Sequence, residues 1–266
     1  MKSYLKRDTD KKPHQEGGCS MGLGDHIEEL RLRIGLSVVG IFVGMLISLA
    51  FGKFFFAMLL HPYAAAAELA GTTPVMQAIQ PAEKFLMFMK CALIFGVIFS
   101  APWVVYQLWK FVSPGLYAKE TRFVYIVTPV CGGLFMAGSF FFILFVAPII
   151  LNFFMKFDVG VDYVTTVLTL TYYVNFMLSL TLAFGLSFQM PVLIVFAVRL
   201  GLLKLEWLVK VRKFVFLGLF IVAAMATPPD PISMLSLALP LYVLYESSIF
   251  VCSFIERRAA KKNEVD

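Results

Sequence analysis

The sequence predicts an all-α integral membrane protein: six transmembrane helices, the fifth and sixth short, with both termini on the cytoplasmic side. Three observations lead there. Of the 266 residues 60% are hydrophobic and only 15% charged, with a mean hydropathy of +0.83, whereas a water-soluble domain uses roughly a quarter charged residues. The apolar residues are gathered into runs suited to a ~30 Å hydrocarbon core. The basic residues lie between those runs and favour one side. A chain patterned in this way has the bilayer as its solvent, and its backbone polar groups must be satisfied within helices.

Residues 1–24 are polar, include Gly17 and Gly18, and read as a flexible cytoplasmic tail rather than a secretory leader. The first apolar run covers 34–51, between Arg33 and Lys53, with 54–60 as an extension. The second covers 85–109 and is interrupted by Lys90. The third, 123–151, carries no charge between Arg122 and Lys156, and the fourth, 174–198, ends at Arg199. Two shorter arms, 214–226 and 232–245, flank the turn sequence TPPDP at 227–231. At ~1.5 Å per residue each arm reaches about 20 Å, which suits either a re-entrant hairpin or two short spans that thin the bilayer locally. Residues 247–255 can carry the last helix past Glu246, which favours two spans. Residues 25–256 are thus expected to form a single transmembrane domain, followed by a basic cytoplasmic tail at 257–266.

Orientation follows from the lysines and arginines. With the N-terminus inside, nearly all of them fall on the inner segments, leaving Lys53, Lys84 and Lys156 outside and Lys90 within a span. The longer segments, 54–82 and 152–173, then lie outside. They are too apolar for disorder and are expected to cover the outer surface as short interfacial elements.

Candidate functional residues cluster at the expected inner face. Asp25 is placed to cap the first helix, with Glu28 three residues on completing a capping box. That leaves Glu29 as the freer carboxylate, paired at most with Arg33 at i+4 for about 0.2–0.5 kcal/mol. Glu120, after the Ser113-Pro114-Gly115 turn, stands at the start of the third span. A helix-start acid has a structural role by itself. Alternatively, Glu29 and Glu120 converge as an anionic spot on a basic face and select guanidinium groups, which meet carboxylates with paired hydrogen bonds. Within the spans, Lys90 is expected to snorkel outward and Glu246 to approach the inner interface, too far apart for a direct pair. Gln189 is suited to hydrogen bonding across helices.

Other classes find little support. The basic balance is not gathered on one face as nucleic-acid binding requires. Cys19, Cys91, Cys131 and Cys252 show no metal-ligand spacing, and the last three read as small buried hydrophobes. His14, His26 and His61 form no metal pattern, and no catalytic or phosphate-cradling motif is present, so neither enzyme chemistry nor a metal or other cofactor is expected. The competing class is a secondary carrier of small solutes or ions, against which stand the lack of an internal repeat and of a buried acid chain.

Several segments together resemble the TatC family of the twin-arginine protein translocase. They are HIEELRLR (26–33), PAEKF (81–85) with Lys90, FVSPGLYAKE (111–120), FGLSFQMP (184–191), TPPDPIS (227–233) and ALPLYVLYE (238–246), in that order, over about 24–256. The resemblance implies a cup-like bundle in the bacterial inner membrane. It also implies a receptor that binds the twin-arginine signal peptides of folded proteins on the cytoplasmic side. Single-span TatA/TatB-type partners, self-association and drive by the proton-motive force are implied too. The family's signal-binding glutamates fall on Glu29 and Glu120 and its loop phenylalanine on Phe111. Its outer-loop proline falls on Pro62, its turn aspartate on Asp230 and its last-span glutamate on Glu246. Two positions depart: Gln189 stands where many members carry an acid, and Met234 where a glutamine is common. An amide at 189 can still hydrogen-bond but cannot titrate, which speaks against a proton-linked role there.

Overall fold

A computed structural model describes residues 23–112, 118–157, 168–226 and 231–263. Helix α1 runs Leu23–Ala50, and after a break at Phe51 helix α2 runs Gly52–Leu69. The hairpin partner of α1 is α3, Glu83–Val112. Helix α4, Ala118–Phe141, passes through a π-turn at Phe142–Val146 into α5, Ala147–Lys156. Then follow α6 (Leu170–Ser187), α7 (Met190–Arg199), α8 (Leu205–Ala226) and α9 (Pro231–Asn263). Two short strands, β1 (Met76–Gln77) and β2 (Leu168–Thr169), pair in parallel.

Five stretches among the described residues are long and apolar enough to cross a membrane: 27–50, 83–111, 127–156, 170–199 and 234–257. Helix α8 is long enough, but Glu206, Lys210, Arg212 and Lys213 charge its first half. Its apolar part is the short arm read from the sequence; the helix is longer because those charged residues start it. Likewise α9 continues past Glu246 to Asn263, so most of the expected C-terminal tail is helix.

Successive long helices run antiparallel. Along α1 and α3 the contacts pair in opposite order: Arg33 with Gln107, the Trp103 indole N–H with the Leu36 carbonyl at 3.0 Å, and Gly44 with Gly96. A Cβ on Gly96 would stand 2.6 Å from the backbone of Met45, and one on Gly44 2.6 Å from the Gly96 carbonyl oxygen. These glycines let two backbones approach, the way helices associate where lipid removes the hydrophobic drive between them. Along α4 and α6, Gly138 packs on Phe184 and Phe188, Gly185 on Ser139. The π-turn precedes Pro148, whose missing N–H and ring disturb the preceding turn.

The main core is built from α2 to α6 with the π-turn, joined by Ala223 of α8 and Leu237, Ala238 and Leu241 of α9, and Leu59, Phe95, Phe142, Ile150, Met177 and Phe184 are fully buried in it. Phe55 stacks on Phe95 at 4.9 Å between ring centres. Helix α2 corrects an expectation here. Residues 54–82 do not simply lie over the surface: α2 sends Phe55, Leu59, Tyr63 and Ala66 into that core, and its Leu59 carbonyl accepts the Tyr173 hydroxyl at 2.8 Å. A smaller cluster at the other end joins α7, α8 and α9 through Ile194, Leu208, Tyr245, Ile249 and Cys252. Cys91, Cys131 and Cys252 are buried and free of disulfides.

The segment before α3 is held by one carboxylate the sequence reading passed over. Buried Glu83 accepts the N–H groups of Ile79 and Gln80 and, from α6, both the N–H (2.8 Å) and hydroxyl (2.6 Å) of Thr171. It thereby ties the β1 segment and the start of α3 to the start of α6, and it also sits at the positive end of its own helix.

Two outcomes test this packing. Gly96→Ala is expected to lower the thermal unfolding temperature of the detergent-solubilised protein, by an overpacking cost of about 1–3 kcal/mol, while Gly133→Ala, with open space at its Cβ position, leaves it unchanged. Equal melting of the two variants would show that the α1–α3 approach is not tight. Glu83→Gln presents an NH₂ group to donors and leaves some unpaired at about 1–3 kcal/mol. Hydrogen exchange at residues 76–80 should therefore quicken in that variant, and unchanged protection there contradicts the clip.

Candidate functional site

The antiparallel order brings the start of α1, the end of α3, the start of α4, the end of α7 and the start of α8 to one end of the bundle. It is the end rich in lysine and arginine. Near it, Glu29 and Arg33 lie on one face of α1, one turn apart, turned toward α3. An Arg33 Nη donates to Glu29 Oε1 at 2.8 Å, and the other Nη reaches Gln107 Oε1 on α3 at 3.4 Å. Both charged side chains are largely covered, 18% exposed for Glu29 and 15% for Arg33, and Gln107 is buried. Glu29 Oε2 and Arg33 Nε are themselves buried, with no hydrogen-bond partner among the described residues. The ion pair is therefore single-stranded: one N–H···O contact where a guanidinium and a carboxylate can make two.

One expectation is corrected here. The backbone of α1 starts at Leu23, ahead of Asp25, so Asp25 lies inside the helix; Glu28 is exposed. The Glu29–Arg33 pair is the one the i+4 spacing offered, and the structure adds that it is largely covered and reaches α3 through Gln107.

Phe111, in the last turn of α3, is half-buried. Glu120 belongs to the first turn of α4 by backbone, at the same end of the bundle as Glu29 and Phe111. Its side chain lies outside the described residues, as does Asp230 altogether.

The remaining candidates lie elsewhere. Gln189 occupies the break between α6 and α7 and donates its side-chain N–H to the Cys131 carbonyl on α4 at 2.9 Å. It lines a cavity of about 550 Å³ with Ile41, Val97, Trp109, Phe135 and Leu186, walled by α1, α3, α4, α6 and α7 and almost wholly apolar. Lys90 is exposed, and its ammonium group donates to the Asn175 side-chain carbonyl on α6. Glu246 accepts the Tyr242 hydroxyl at 2.9 Å and pairs with Arg212 of α8 at 3.2 Å, which cross-links α8 to α9. Tyr245 adds a bond to the Leu208 carbonyl at 2.7 Å. Pro62 is not in an outer loop: it is buried inside α2. Met234 is half-buried at the start of α9, packed against the main core.

Sequence reasoning missed Gln107, Asn175, Arg212 and Glu83 as partners. Only Glu83 left a signal, an acid beside a helix start. No group of histidine, cysteine or carboxylate side chains suited to a metal occurs among the described residues.

Comparison with known proteins assigns the arrangement to a family. The family model described as Sec-independent protein translocase protein (TatC) matches residues 25–240. A Sec-independent protein translocase protein TatC from Carboxydothermus hydrogenoformans is 37% identical over 89% of this chain and 94% of its own length. The TatCy protein of Bacillus subtilis is 35% identical over 92% and 94%. Among solved structures, a crystal structure of the twin arginine translocase receptor TatC in DDM superposes with a TM-score of 0.75. It is 30% identical and covers 85% of this chain and 98% of that one. A small-solute carrier is thereby set aside. With 216 consecutive positions matched by the family model and relatives aligned over nearly their full length, the chain belongs to the TatC family, as a non-enzymatic, multi-pass component of the twin-arginine translocase in the bacterial inner membrane.

Proposed function

We propose that this chain is the receptor subunit of the translocase, and that the basic end of its bundle is the cytoplasmic face where twin-arginine signal peptides are gripped. In this reading α8 counts as a span despite its charged first half, so the chain crosses six times with both termini inside. The acidic niche is made by Glu29 and Glu120, with Phe111 beside them, and each signal arginine meets a carboxylate. The observation that carries the reading is that Glu29 already holds a guanidinium, at 2.8 Å and largely covered. A carboxylate in that setting favours a planar cation with several donors over a strongly hydrated ammonium.

The choice of Glu120 as the second carboxylate is supported by the topology, since α1 and α4 both pack on α3 and start at the same end. The apolar cavity between α1, α3, α4, α6 and α7 offers the hydrophobic part of a signal a surface inside the membrane. Gln189 on its wall offers an amide there and no titratable group. TatA/TatB-type single-span proteins are the partners this reading entails, with the proton-motive force driving passage and further copies of the chain completing the assembly.

The test is crosslinking and binding of a twin-arginine signal peptide. Glu29→Ala and Glu120→Ala are each expected to weaken binding about tenfold to a hundredfold, the equivalent of losing about 1.5–3 kcal/mol of charge-assisted hydrogen bonding. Glu→Lys at either position should favour a signal whose arginines are replaced by aspartates. Unchanged binding in all these variants would refute the carboxylate niche.

A further inference from the structure

Resting on the receptor reading, we propose that Arg33 is a built-in surrogate for the signal's arginine, holding Glu29 while no peptide is bound and giving it up when one arrives. Three observations carry this. The occupant of the acid is chemically the ligand the site is read to take, a guanidinium, supplied one turn along the same helix. The contact is half-made, with Glu29 Oε2 and Arg33 Nε both buried and unpartnered among the described residues. Such orphaned atoms cost free energy, and a peptide guanidinium that meets both carboxylate oxygens removes the one on Glu29. Finally, Arg33 has somewhere to go: its second arm already points to the Gln107 side-chain carbonyl on α3, at 3.4 Å.

The arrangement keeps an acid near the membrane from standing unpaired when the site is empty, which is the costlier state for a covered charge. It also imposes a fixed cost on every ligand, because whatever binds Glu29 must first displace Arg33. That cost is the same for a peptide with two arginines and one with two lysines. Removing Arg33 therefore strengthens both without altering the preference between them. An Arg33 that instead helped to hold the peptide would produce the opposite pattern.

The experiment uses the purified full chain in detergent and two fluorescent signal peptides, one with paired arginines and one with paired lysines at the same positions. Dissociation constants are measured by polarisation for the wild type, Arg33→Gln, Arg33→Lys and Glu29→Gln. Arg33→Gln is expected to bind both peptides about two- to tenfold tighter, the span between an exposed i,i+4 pair and a charge-assisted hydrogen bond, with the ratio between peptides unchanged. Arg33→Lys, which keeps the charge but loses the fork, should show a smaller rise, and it decides the matter if Arg33→Gln does not fold. Weaker or unaltered binding of the arginine peptide, or a changed ratio, overturns the inference. If Glu29→Gln weakens binding while neither Arg33 variant strengthens it, the receptor reading stands and the surrogate role falls. If Glu29→Gln changes nothing, both fall.

Discussion

In a bilayer there is little hydrophobic gain from joining two helices, because lipid tails are as apolar as the side chains they replace. The α1–α3 pair meets that constraint by backbone approach, with Gly44 and Gly96 facing each other so closely that a Cβ on either would strike backbone atoms. The α1 side of the basic end depends on this contact. It fixes the register in which Arg33 meets Gln107 and Trp103 meets the Leu36 carbonyl. That register in turn buries Glu29 and Arg33 against α3. Elsewhere α1 shows much of its apolar surface to lipid, so a shift along this single face would carry the site with it.

Several polar side chains of the bundle are matched on a neighbouring helix. Gln189 finds the Cys131 carbonyl, Lys90 finds Asn175, and Glu246 finds Arg212 and Tyr242. Apart from the Tyr242–Glu246 bond within α9, these contacts link separate helices and together tie α4 to the α6–α7 break, α3 to α6, and α8 to α9. Gln189 illustrates what an amide contributes where an acid carries risk. It supplies a donor to a carbonyl beside a break in the helix, without the ~2.5–3.5 kcal/mol insertion cost of a central charge. These matches account for ionisable residues that would otherwise each suggest a transport pathway.

The fold class, the run boundaries and the apolar arms were legible in the sequence because they depend on hydropathy alone. Less legible was anything set by packing between runs. Residues 54–82 read as interfacial elements because they lie between spans and are too apolar for disorder. In the fold α2 turns Phe55, Leu59 and Tyr63 into the core and buries Pro62 with them. The helix start was misplaced for a related reason. Asp25 and Glu28 have the spacing of a capping box, but α1 begins earlier, at Leu23, so Asp25 lies within the helix. Glu29 was singled out, and its partner at i+4 noted, but Gln107 is 74 positions away and no local pattern announces it. Glu83 was quoted in a motif without a role, since Thr171 lies 88 positions on.

The distribution of charge at the basic end gives recognition there a particular character. Lys110, Arg199, Lys204, Lys210 and Lys213 surround an end whose acids stand near the helix starts. Over distances beyond the Debye length of about 8–10 Å such surroundings are screened. Closer in, they oppose a diffuse cationic approach and reward only a cation that reaches a carboxylate directly. On the proposed receptor reading, a covered acid already paired with an arginine adds a displacement cost that every cationic ligand meets alike. Preference for a guanidinium then rests on the paired hydrogen bonds that a planar fork makes with a carboxylate, and neither on that displacement nor on net charge. By this reading a protein whose surface is basic singles out a basic peptide through the carboxylate it reaches.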